Sequence, residues 1–370
     1  MTTREQLNLY FLIRAQAWND SLSTLDAATV ANVLKTLKSV RADVRRQLLD
    51  NADMLSGWRA ERLQQLDAWL SEVLAGASAT VTGTITEAAV LSATASLVEY
   101  NAMMSLDGAS SVVKTVGFTR EQLVTWFRDT DIFEGMNLTT RVDNAMSTGA
   151  KDAILEAIRK AGVEGKGTAV VVQRAIDAGI DAGFQLTERE AVTLARSYVQ
   201  AANVGAMDAV MEANKGLLRG WRWMAKLDNR VCPRCAGLDG TFYKIDDKNT
   251  PPMPIHWRCR CLKQWIANNP SDFSVSDDEV QRVIRPWVER EPGTIGRGGS
   301  RKILNAGTTK AFYGNWFKAL SPAKQNDVVG SVRAELLRNG KIQWGQLIDK
   351  TTGRLKTLDD LGFSLSGVRK

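Results

Sequence analysis

All the thiols and the one imidazole of this 370-residue chain fall between positions 232 and 261. They are Cys232, Cys235, Cys259 and Cys261, its only cysteines, and His256, its only histidine. The order is Cys-Pro-Arg-Cys, a twenty-residue spacer, then His-Trp-Arg-Cys-Arg-Cys. A Cys-x-x-Cys turn presents two thiolates to one ion, and a second pair from beyond the spacer completes the tetrahedron that Zn²⁺ adopts. Two distant loops must therefore meet, which restricts the fold around them more than any other feature does. Cys232 and Cys235 form the firm pair. His256 with Cys259 is the first choice for the second pair, and Cys261 is the alternative, in a four-cysteine set that leaves His256 outside. Either set fills all four positions and keeps none open for a reacting water. The site thus reads as a structural Zn²⁺ clamp on a sheet too small to hold itself together by burial. The competing reading is a group of reduced, buried cysteines or a disulfide formed on purification.

The same distribution restricts the chemistry. With one histidine, itself a candidate ligand, Ser-His-Asp or Cys-His catalysis has no base to use, so no enzymatic activity is expected. Asp228 precedes the first cysteine pair and Asp239 follows it, and an enzyme reading would make Asp228 a base or a carboxylate that orients a ligand. Asp-Asn and Asp-Gly are more simply turn residues. Gly165-Lys166-Gly167-Thr168 departs from phosphate-loop spacing, and Gly293 to Gly299 lacks a βαβ setting, so neither points to a nucleotide. Clustered cysteines after a start (Met-Thr-Thr-Arg-Glu-Gln) without an apolar leader suit a reducing compartment and argue against export. No continuous apolar run approaches the ~20 residues that span a bilayer, so no membrane is expected as a partner.

Two or three domains are expected at this length. The first 215 residues read as helices. Val30, Val33, Leu34, Leu37, Val40, Val44 and Leu48 form one apolar stripe, and Leu63, Leu66, Leu70, Val73 and Leu74 another. Thr119 with Gln122, and Thr187 with Glu190, have capping-box spacing and mark expected helix starts, the second opening a helix from about Glu188 to about Asn214. Ala75–Thr86, rich in alanine and threonine, reads as a joint between helical units.

After Gly216 the pattern changes to alternation over Gly220–Asp228, then an Asp-Gly turn at Asp239-Gly240, a short strand near Thr241–Ile245, and a third over Cys261–Ile266. Pro251, Pro252 and Pro254 set His256 on a stiff extended loop. The five donors are thus expected on turns and strand ends. Further on, a short helix is expected near Asp277–Arg285, a loop over Glu291–Arg301, and a helix over Lys324–Asn339.

Charge is uneven. Between Gly216 and Lys310 seventeen Lys/Arg face ten Asp/Glu, which is the whole net charge of +7. That local excess can meet nucleic acid or an acidic protein surface. Trp221, Trp223, Trp257 and Trp265 are interleaved with Arg222, Arg258 and Arg260, as on single-strand-binding surfaces. Tryptophans beside a minimal sheet are, however, more often its core.

The combination Trp223-x-x-x-Leu-Asp228-x-Arg-Val-Cys232-x-x-Cys235-x-x-Leu-Asp-Gly240-x-Phe-Tyr, followed by Pro-Pro…Pro-x-His256-x-x-Cys259-Arg260-Cys261, resembles the signature of the phage Mu F-like minor head, or head morphogenesis, proteins. Upstream, Leu194-Ala-Arg196-Ser197…Ala201-Ala-Asn203 is similar to the family's Ala-Arg-Thr-Glu…Ala-x-Asn stretch, with Ser197 and Tyr198 in place of the threonine and the acidic residue. The resemblance covers roughly Gly167 to Ile266, and Leu320–Leu361 is similar to tails that follow this domain in some phage head proteins. It implies a low-copy virion component beside the portal, inside the head, reached from the host cytoplasm during assembly. Such proteins act in head assembly and in DNA packaging or ejection.

The expected architecture is α+β, mainly α: a helical N-terminal region over 1–160, a Mu F-like module with the Cys/His site over 161–268, a polar connecting segment over 269–302, and a helical tail over 303–370. The expected partners are the portal protein, the major capsid or scaffolding protein, and DNA. Arg222, Arg230, Arg234, Arg258, Arg260 and Lys263 are the candidate portal or DNA contacts. The rival functions are a nucleic-acid-binding zinc module and, behind it, a metal-dependent hydrolase.

Overall fold

The computed structural model describes residues 3–50, 60–105, 113–132, 135–163, 169–226, 230–269, 313–318, 320–349 and 352–363. These are mainly α-helical with one small antiparallel sheet, the class expected. In chain order the elements are α1 (Thr3–Asp50), α2 (Ala60–Ser105), α3 (Arg120–Asp129), α4 (Leu138–Asn144), a π-helical turn (Ala145–Lys151), α5 (Asp152–Val163) and α6 (Ala169–Ala213). There follow β1 (Leu218–Met224), α7 (Pro233–Leu238), β2 (Phe242–Lys244), β3 (Leu262–Ala267), α8 (Tyr313–Lys318), α9 (Pro322–Val329) and α10 (Ser331–Arg338). The readings at Gly165–Thr168, Asp228, Asp277–Arg285 and Glu291–Arg301 lie outside the described residues.

Two compact units interleave in sequence. One comprises Met1–Ser21, Thr94–Gly117 and Asn203–Lys370, the other Leu22–Ala93 and Phe118–Ala202. Each cut falls inside one of the long helices or a neighbouring loop.

In the second unit, Val33, Leu37, Val44 and Leu48 are buried, as are Leu66, Leu70 and Leu74, so both stripes form cores. Ala75–Thr86 is not a joint but continuous α2. Its buried residues, Ala77/Ser78, Val81/Thr82 and Ile85/Thr86, recur every four positions as one helical stripe. Thr80 and Thr84 direct their hydroxyls to the carbonyls four residues back, at 3.0 and 2.9 Å, so they need no other partner. Thr119 and Gln122 do form the expected capping box of α3. Thr187 does not start a helix. It is buried within α6 and donates to the carbonyls of Gly183 and Ala145, at 3.1 and 2.9 Å. Gly179 and Gly183 let α6 approach closely: a Cβ on Gly183 would lie 2.8 Å from Ala150 Cα.

Helix α2 is long and apolar enough over Gln64–Ser105 to cross a membrane, although no run in it is continuously apolar. Of its most apolar window 61% is buried inside the protein, as in a core helix.

In the first unit, the start of α1 is buried on nearly every side, through Leu7, Leu9, Tyr10, Phe11, Leu12 and Ile13. Phe11 meets the edge of Trp265 with ring centres 5.8 Å apart, and Tyr100 lies 5.6 Å from the same ring. Asn8 caps the edge of β3: its carbonyl accepts from Gln264 Nε2 at 2.8 Å, and its Oδ1 accepts from Ala267 N at 3.0 Å. The strand order is β2-β1-β3, antiparallel throughout, with Trp221 paired to both Tyr243 and Trp265. Unlike a half-solvated sheet, β3 is buried along its whole length, and Trp221, Trp223 and Trp265 are core residues.

Asparagines do much of the polar work in this unit. Asn203 Oδ1 accepts from Ser96 Oγ at 2.9 Å and Tyr100 Oη at 2.8 Å, while Trp18 Nε1 donates to Ser96 at 2.9 Å. Asn101 brackets the backbone N–H and C=O of Val116, and Asn214 does the same for Lys114, so two side chains stand in for a neighbouring strand. The helix expected over Lys324–Asn339 is two helices, broken at Gly330, whose φ of 81° only glycine adopts readily.

Candidate metal centre

Cys232 lies beyond β1 and caps the N-terminus of α7, with Pro233 in the first helical position, where its missing N–H costs nothing. One turn later Cys235 directs its backbone N–H at Cys232 Sγ, at 3.4 Å. The first cysteine pair therefore sits on a short helix rather than on the turn expected. The second loop leaves β2, runs through Pro251, Pro252 and Pro254 without regular structure, and reverses at Arg258, whose φ is 58°. That turn brings Cys259 N to 3.2 Å from the His256 carbonyl. Cys261 then precedes β3.

All five donors converge. His256 Nε2 is 3.1 Å from Cys232 Sγ and 3.1 Å from Cys235 Sγ, and Cys235 Sγ is 3.9 Å from Cys259 Sγ. Cys232, Cys235 and His256 form one triad, and Cys235, Cys259 and Cys261 another, each with its ligand atoms within 4.8 Å of one another. Cys235 belongs to both. A tetrahedron with metal–sulfur bonds of about 2.3 Å has edges of about 3.8 Å, so these spacings suit one small ion. The four cysteines are free thiols, not disulfides. His256 Nδ1 lies 2.7 Å from the Trp257 carbonyl, which can only accept. Nδ1 therefore carries a proton and Nε2 faces the thiols, the orientation a carbonyl-held metal ligand has.

The electrostatics favour a cation. A hydrogen bond from Cys235 holds the Cys232 thiol down at about 5, against the opposing effect of burial. Burial disfavours charge on His256, but Cys232 and Cys259 outweigh it and lift the imidazole to about 10. Hydrogen bonds from Cys235 and Cys261 hold Cys259 well below the usual thiol range. Two electron-rich sulfurs in a mostly buried pocket attract positive charge, whether a proton or a metal ion.

The surroundings are architectural. Asp239 accepts from Ala225 N at 2.7 Å through Oδ1 and from Tyr313 N at 2.6 Å through Oδ2, so its carboxylate ties β1 to α8. A cleft of about 470 Å³ beside α7 is lined by Gly237, Asp239, Phe317 and Trp344, among others, and by none of the five donors.

The six nominated cations divide by environment. Lys263 is buried, paired with Asp208 at 2.5 Å and 4.6 Å above the Trp221 ring, so its charge is engaged inside the fold. Arg234 is half-buried and donates through Nε to the Gly353 carbonyl at 2.7 Å. Arg222 and Arg260 are half-buried, while Arg230 and Arg258 are exposed. Where the resembling family has an acidic residue, Tyr198 is fully buried, and burial pushes its hydroxyl up to about 12. Asn8, Asn101 and Tyr100 escaped sequence reading. The apolar run from Leu7 to Ile13 was the available signal for the first of them.

Residues 137–263 match the family described as Phage Mu protein F like protein. That bears out the resemblance read from the residues, and the match starts earlier, at the Asn137 cap of α4, and includes all five donors. No curated protein and no solved structure matches the chain.

Proposed function

We propose that this chain, whose residues 137–263 are a Phage Mu protein F-like region, is a phage minor capsid protein. In this reading it is a low-copy head-morphogenesis component that joins the portal inside the head. It acts in capsid assembly and in DNA packaging or ejection. The carrying observation is that the family region and the metal-type cluster coincide: the match ends at Lys263, two residues past the last converging donor.

Zn²⁺ is the ion proposed, held by Cys232, Cys235, Cys259 and either His256 or Cys261. Three or four thiolates with at most one imidazole, at tetrahedral spacing, form a closed structural site for that ion. Its role is to pin the α7 loop to the β2–β3 loop. The site is read as non-enzymatic: His256 faces the thiols and Asp239 holds two backbone amides. The portal is the first partner, with the major capsid or scaffolding protein and DNA as others. Arg222, Arg230, Arg258 and Arg260 are the cations proposed to meet them. The protein would pass through the host cytoplasm during assembly.

The test is fractionation of infected cells. Recovery in purified particles at a few copies per head, together with the portal, supports the reading; presence in the soluble fraction and absence from particles overturns it. The cationic excess between Gly216 and Lys310 favours one alternative, a DNA-binding zinc module outside any particle. That alternative predicts DNA binding that weakens steeply with salt.

A further inference from the structure

Both loops of the metal centre carry the C-terminal segment on their outer sides. Arg234, between the first two cysteines, holds the Gly353 carbonyl at 2.7 Å. Gly237, two residues past Cys235, packs so closely that an added Cβ would lie 2.0 Å from Ile348 Cγ1. From the other loop, Ile255 precedes His256 and abuts Gly353, where an added Cβ would lie 2.0 Å from Ile255 Cδ1. Asp239, at the end of α7, accepts from Tyr313 N. On the tail side, Ile348 and Leu355 form an antiparallel bridge, closed by hydrogen bonds from Lys356 N to Leu347 O at 2.8 Å and from Asp349 N to Arg354 O at 3.0 Å.

Neither partner can hold this arrangement alone. Helix α7 has six residues, far too few to be stable in isolation, and the loop bearing Ile255 has no regular structure. The convergence of the five donors ties the two loops to each other, in addition to the bonds of Asp239 and the buried side chains of α7. We propose that the metal centre and the described residues of the C-terminal segment, 313–318, 320–349 and 352–363, form one cooperative unit, so that metal occupancy decides whether they are docked. This rests on the reading of the Cys/His cluster as a metal site. Coupling of this kind is reciprocal: if the ion favours docking, docking tightens the ion by the same factor.

The experiment is hydrogen exchange on the full chain, metal-loaded and after chelation, with bound metal counted in each sample. The expected result is that amides of 313–318, 347–349 and 352–356 exchange at least tenfold faster once metal is removed, while those of 66–89 in the other unit do not change. In a chelator competition, Arg234→Ala and Ile348→Ala are expected to release metal more readily, by several-fold, with their own 66–89 amides unchanged as a check on folding. Metal present and removable, with tail exchange unaltered and both variants retaining metal like the parent, would overturn the coupling alone. Protein that holds no metal before chelation would overturn the site reading and the coupling together.

Discussion

Replacing Cys235 with serine is expected to weaken metal binding on the order of 100-fold, whereas the same change at Cys261 weakens it by less than about 5-fold. The difference follows from geometry. Cys235 is the donor common to both triads, 3.1 Å from His256 Nε2 and 3.9 Å from Cys259 Sγ, so it belongs to both proposed ligand sets, whether His256 or Cys261 is the fourth ligand. His256 and Cys261 belong to one triad each and can replace one another as the fourth ligand. Structural zinc sites contribute roughly 10–16 kcal/mol at neutral pH. A quarter of that is about 3 kcal/mol, and each 1.4 kcal/mol is tenfold in affinity. The assay is competition with a chromophoric chelator on the refolded, reduced protein. Cys235→Ser within threefold of the parent, or Cys261→Ser as damaging as Cys235→Ser, would refute the shared-vertex geometry.

Other outcomes follow from the packing. Asp239→Ala strands two backbone amides, and charge-assisted hydrogen bonds at a half-buried site are worth about 1.5 kcal/mol each or more. Hydrogen exchange at Ala225 and Tyr313 should rise roughly tenfold, and unchanged exchange at both would show that the carboxylate does not hold them. Phe11→Ala empties a fully buried site against Trp265 and should cost about 3–5 kcal/mol, read as a lowered urea midpoint for the sheet's tryptophan signal. A midpoint that does not move would mean the start of α1 is not part of that core. Gly183→Ala gains about 1 kcal/mol of helix propensity but adds a Cβ 2.8 Å from Ala150 Cα, with overpacking of about 1–3 kcal/mol. A lowered melting temperature is expected, and a raised one would contradict the close helix approach.

Local features were legible in the sequence where one residue pattern had one structural solution. The tryptophan-rich alternation became β1, the Asp-Gly pair became a turn with Gly240 at φ 80°, and Thr119 capped α3. The meeting of the five donors was legible because the chain has no other thiol or imidazole. What stayed hidden was long-range or ambiguous in period. Ala75–Thr86 reads as a break because small and hydroxylated residues are poor helix signals, yet the same side chains suit a tight, back-bonded helix. The membership of Leu7–Ile13 in the module depends on contacts with β3 some 250 residues away, as for Asn8 with Gln264, and no local pattern encodes them. Lys263 looked like a surface cation because alternation in a strand does not reveal that both faces are covered.

Elemental analysis of the chain, purified reduced and without chelator, decides whether the Cys/His cluster holds a metal ion. One equivalent of zinc per chain is expected, bound by the cluster of Cys232, Cys235, His256, Cys259 and Cys261 and lost from Cys235→Ser. Well under one equivalent of any metal in the parent protein, with its thiols still reduced, would contradict it.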